Sequence, residues 1–171
     1  MIDMETMAVT PDSVILTLGA VHFDPFGDTI GDTLYLKLDL DDQDALKRSI
    51  DQNTLTWWSK QDAAIMEEAF SSEDRVKVTD AVDQFHKFAW KCGAFWSHGA
   101  TFDLVIMDNL YRQLGRTPPW NYWQMRDTRT LFDLGHSPDM PTDSKHNALQ
   151  DAIRQAVGVQ NVYRKLGVRP K

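Results

Sequence analysis

Asp3 and Glu5 stand two residues apart, Asp103 lies in the middle of the chain, and Asp151 follows His146 by five positions. Brought together, these residues make an oxygen-ligand set suited to a hard divalent cation such as Mg²⁺ or Mn²⁺, with an imidazole beside it. In Asp3-Met4-Glu5-Thr6 the two acids share one face if the segment is a strand. Side by side and buried, they repel, and one keeps its proton unless a cation sits between them. An acidic pair alone is more often a solvated surface feature, so its meaning depends on the other three residues.

Asp103 closes the segment Ser97-His98-Gly99-Ala100-Thr101-Phe102-Asp103. An apolar run (Ala94, Phe95, Trp96) precedes it, and Leu104, Val105, Met107, Leu110, Tyr111 and Leu114 follow at helical spacing. That pattern is a strand, a turn and a helix. Asp103 then serves either as a helix cap or as a cation ligand, and the two roles are compatible. With about 3.6 residues per turn, His146 and Asp151 cannot share a helical face. They converge only if His146 lies on the incoming loop or first turn and Asp151 inside the helix. The stripe Ala148, Leu149, Ala152, Ile153, Ala156 and Val157 predicts that helix, with Asp151 flanking its apolar face.

In this order, Asp-x-Glu-Thr, a central Asp and His-x4-Asp resemble the DEDDh group of 3′→5′ exonucleases. Asp127-Thr128-Arg129-Thr130-Leu131 is similar to the Asp-Thr-x-x-Leu stretch of many members. The Trp57-Trp58 pair after Ser49-Ile50-Asp51-Gln52-Asn53-Thr54 resembles a narrower branch of small bacterial and phage enzymes, the phage exonuclease A and mycobacterial 3′ exoribonuclease types. The resemblance spans nearly all 171 residues. It implies a ribonuclease H-like α/β fold: a mixed sheet, with a short antiparallel meander plus parallel strands, flanked by helices.

The resemblance further implies hydrolysis of single-stranded DNA or RNA from the 3′ end to nucleoside 5′-monophosphates, with two divalent cations, Mg²⁺ or Mn²⁺. In that scheme Asp3 bridges the ions, Glu5 and Asp151 hold the one near the nucleophile, and Asp103 holds the second. His146 is the general base, since an imidazole changes charge near neutral pH. Thr6 and Met7 approach the terminal nucleotide. Phe102 offers a stacking face or fills the core. Of the adjacent tryptophans one is core and the other lines the cleft, Trp58 being the expected cleft member. Lys145 is the best candidate to neutralise phosphate, ahead of Arg126 and Arg129. RNA and DNA are not separated by any short motif. The rival expectation is a catalytically idle module of the same fold that holds a 3′ end or nucleotide.

The 18 basic and 25 acidic residues give a net charge of −7, opposite to the basic footprint of a protein that grips long stretches of phosphate backbone. Two divalent ions would reduce this to −3, which suits a metal-dominated hold on a few terminal nucleotides. One cysteine, Cys92, excludes an intramolecular disulfide. The longest apolar segment, residues 14–21, is far short of the roughly 18 needed to span a membrane, so a soluble, cytoplasmic chain is expected. A homodimer is a further expectation, with residues 118–123 (Pro-Pro-Trp-Asn-Tyr-Trp) as its surface.

Length predicts a single domain over residues 1–171. Residues 14–21 and 33–40 read as strands that form a three-strand meander with the first. Helices are expected over residues 54–60, 62–70 and 79–90, on both sides of Asp127, and at the end of the chain. Relatives carry several apolar residues before their acidic pair, whereas only Met1 and Ile2 precede Asp3. A ligand so near a terminus needs a paired backbone, which predicts Ile2–Thr6 as a central strand hydrogen-bonded on both sides.

Overall fold

The computed structural model describes residues 1–134 and 146–170. Strands β1 (Ile2–Thr6), β2 (Ile15–Phe23) and β3 (Ile30–Leu38) form the expected antiparallel meander, and β4 (Arg75–Val76) pairs parallel to β3. β5 (Phe95–Ser97) and β6 (Met125–Asp127) make a separate parallel pair. The continuous apolar run of β2 is what a strand covered on both faces requires.

Helices α1 (Leu40–Ala45), α2 (Gln52–Trp58) and α3 (Ala63–Phe70) follow β3. α4 (Val78–Phe88), α5 (Asp103–Gln113), α6 (Thr128–Phe132) and α7 (Ala148–Leu166) complete the order. The acidic α1 carries no apolar stripe and escapes a search by periodicity. Its anchor is the buried Gln43, whose amide accepts from the Ile15 N–H at 2.7 Å and donates to the Ile15 carbonyl at 2.9 Å. No described helix is long and apolar enough to cross a membrane.

Strand alternation divides the core. Ile2 and Met4 of β1, with Leu18 and Ala20 opposite them, pack on one face of the sheet against Val82 and Phe85 of α4 and Leu104 and Leu110 of α5. Asp3 and Glu5 therefore face the other way, the side on which α7 lies with Ala152, Ala156 and Val159 packed near Val21 and Trp96. Gly19 pairs with Asp3 in the ladder. A Cβ on Gly19 would fall 2.2 Å from the carbonyl carbon of Ala148, so only glycine lets the first turn of α7 settle on the strand there. Asn147 caps that helix by accepting from the Gln150 N–H, a bond of the kind worth about 1 kcal/mol.

The expected central position of β1 is corrected. β1 is the edge of the four-stranded sheet, paired along its length with β2 alone. Its other side is held by a side chain: the Met4 N–H donates to Asp103 Oδ1 at 3.1 Å. In the aromatic segment before β6, Trp120 is buried against Phe85 and Phe95, whereas Tyr122 and Trp123 are exposed with their rings in edge contact.

Candidate metal centre

Asp3 and Glu5 project from one face of β1 and meet Asp151 in the first turn of α7. Each of the three offers a carboxylate oxygen within 4.8 Å of the others. The oxygens Asp3 Oδ1 and Asp151 Oδ2 already carry one donor each: Gln155 Nε2 at 2.7 Å and the His146 N–H at 2.9 Å. Arg154 ion-pairs with the other oxygen of Asp151. Gln155 and Arg154 were not singled out from sequence. Their signal is helical spacing, since three and four positions beyond Asp151 lie beside it on α7.

Asp103 is buried and lies close enough for its charge to act on Asp3 and Glu5, but it is outside the trio gathered within 4.8 Å. It is the first residue of α5. The cap position is taken by Phe102 with no side-chain bond, so the capping role is replaced by the bond to Met4 of β1. The loop that delivers Asp103 is tied down by Asp127, whose two oxygens accept from the Ala100 N–H at 2.9 Å and the Arg129 N–H at 2.8 Å. Thr128 adds a 2.8 Å bond between its hydroxyl and His98 Nδ1. The Asp-Thr pair thus braces the neighbouring turn.

Electrostatics show what the cluster lacks. Burial, with help from the charges of Asp151 and Asp103, pushes Glu5 up to about 8. Burial raises Asp103 to about 7 even though the Met4 N–H favours its charged form. Asp3 is raised well above the carboxylate range, first by burial and then by Asp103 and Glu5. Buried, crowded acids retain protons when no cation sits among them, and here the ion pair with Arg154 reaches Asp151. The donor chemistry therefore fits a hard divalent cation, which Asp3, Glu5 and Asp151 could hold.

A cavity of about 510 Å³ adjoins the acids, walled by Met4, Thr6, Val9, Phe102 and both adjacent tryptophans. Thr6 reaches it, but its hydroxyl donates to the Ala8 carbonyl at 2.8 Å. Met7, half-buried, packs against the cluster of Leu16, Trp58 and Ala69, beside the cavity wall rather than in it. The ladder irregularity between Glu5 and Thr6 breaks the alternation that would have aimed it at the cleft. Phe102 lines the cavity while packing on the main core.

Both tryptophans line the cavity, and they differ in exposure. Trp58 is only 2% exposed, its indole N–H donating to the Thr6 carbonyl at 2.9 Å, because a buried indole needs an acceptor. Trp57 is 41% exposed and is the more open cleft member. Its ring meets the imidazole of His146 edge to face, centroids 4.8 Å apart. His146 sits in the turn immediately before the Asn147 cap, as the five-residue spacing requires. Lys145 lies outside the described residues.

A family model described as "3'-5' exoribonuclease Rv2179c-like domain" matches residues 1–163. No curated protein matches the chain. Among solved structures, Exonuclease X in complex with 5′ overhanging duplex DNA is similar, with a TM-score of 0.60 and 16% identity. The alignment covers 98% of this chain and 92% of that one, and the likeness is one of fold.

Proposed function

The chain belongs to the Rv2179c-like 3′-5′ exoribonuclease domain family and is a 3′-5′ exonuclease, and on that premise we propose that it shortens single-stranded RNA from the 3′ end, releasing nucleoside 5′-monophosphates. The observation that carries this reading is the gathering of Asp3, Glu5 and Asp151 within 4.8 Å, with buried Asp103 adjoining. These four would hold two divalent cations, Mg²⁺ or Mn²⁺, which when bound activate water and stabilise the charge on the attacking and leaving oxygens.

The remaining work falls to the chain. Burial of the acids excludes competing solvent, and Gln155 orients the Asp3 carboxylate through its 2.7 Å bond. An imidazole nitrogen of His146 accepts the proton of the attacking water. The 3′-terminal nucleoside occupies the neighbouring cavity, with its base against Phe102, a stacking contact worth about 1–3 kcal/mol.

The test is digestion of matched single-stranded RNA and DNA oligonucleotides, labelled at the 5′ end, with Mn²⁺. The expected result is a ladder shortened from the 3′ end, faster on RNA and abolished by chelator. Equal rates on DNA would remove the sugar preference. Binding without any cleavage would favour the idle module.

A further inference from the structure

Resting on the general-base reading of His146, we propose that Trp57 is a positioning residue, which fixes the imidazole against the terminal-nucleotide cavity and so contributes to turnover beyond any stacking on the base. The backbone of His146 is already pinned. Its N–H donates to Asp151 Oδ2 at 2.9 Å, and its φ of 66° lies in the left-handed region that a non-glycine residue enters only when its surroundings impose it. Backbone pinning leaves the side-chain torsions free. Among the described residues, the ring contact to the imidazole is with Trp57, at 4.8 Å between centroids and 86° between planes.

Trp57 can act as a wall because it is itself braced. Its ring meets Trp58 at 5.0 Å and 76°, and Trp58 meets Phe70 at 5.3 Å and 87°. Trp58 in turn bonds the Thr6 carbonyl, the residue directly after Glu5. A continuous path of packed rings and one hydrogen bond therefore keys the His146 imidazole to the strand that carries Asp3 and Glu5. That path links the base to the acids through described residues of β1 and α2. Edge-to-face aromatic contacts add attraction beyond burial and so favour one rotamer of an imidazole.

The discriminating experiment is a double-mutant cycle on single-stranded RNA with Mn²⁺, combining Trp57→Leu or Trp57→Met with His146→Ala, and reading kcat and KM separately. Both variants keep an apolar cover on Trp58, and thermal melts verify their folding. Positioning predicts that either change lowers kcat about tenfold with KM altered less than about twofold, that Trp57→Phe restores most of the loss, and that in the His146→Ala background the same changes cost almost nothing. A rise in KM at unchanged kcat, or an equal loss in both backgrounds, would overturn it and leave Trp57 as a stacking surface. Full activity of His146→Ala would instead overturn the general-base reading itself, and the inference with it.

Discussion

Asp3→Asn lowers turnover by about a thousandfold or more while leaving the metal-free fold at least as stable as the parent. The loss follows from the position of Asp3, where the oxygens of Glu5 and Asp151 converge. Cation stabilisation of transition-state charge is worth several kcal/mol, and each 1.36 kcal/mol is about a factor of ten in rate. Stability is retained because the amide keeps an oxygen to accept from Gln155 Nε2 and removes one of the mutually repelling acids. Single-turnover digestion checks the first half, and thermal melts in chelator at pH 8 check the second. An active Asp3→Asn enzyme would remove Asp3 from the ligand set. A collapsed melting temperature would make its role structural.

His146→Ala lowers kcat by about 10²–10⁴, the range typical of a lost general base, with little change in Mn²⁺ affinity. The separation is expected because the contact of His146 with the acids is through its backbone N–H, which alanine preserves. Relief of the positive φ by glycine offers an internal control. His146→Gly accommodates the backbone better and must still lose the activity. Activity retained by both variants would assign the proton to another acceptor.

The two predictions rest on positions that the chain announces well before its packing is known. The alternation at Asp3 and Glu5, and the five-residue step from His146 to Asp151, already require a strand face opposed by a helix start, and that is how β1 and α7 meet. What the sequence conceals is how the elements lean on one another. β1 looks as though it needs strands on both sides, yet a carboxylate, Asp103, satisfies Met4 on its open edge. Trp57 and Trp58 differ by about 100° around a helix, which separates them without stating which is inside. That choice follows from the Thr6 carbonyl, an acceptor 52 residues away in sequence. Gly19 is similarly silent until α7 is seen lying on it. Arg154 and Gln155 are legible from spacing alone, three and four positions beyond Asp151 on its helix.

Calorimetric titration of Mn²⁺ into the metal-free protein at pH 6 and pH 8 decides whether these carboxylates form a cation site. In the folded chain Glu5 and Asp103 hold protons up to about 8 and about 7, against ordinary values of 4.5 and 3.8, and Asp3 is raised in the same direction. Native-state proton binding of this sign adds stability that is fully present below the ordinary values and is lost as pH rises through the folded ones. A cation must displace the same protons. The account predicts Mn²⁺ binding that releases protons, tightens from pH 6 to pH 8 and disappears in Asp3→Asn. Binding that is absent at both pH values, or that is indifferent to pH and to Asp3→Asn, would contradict it.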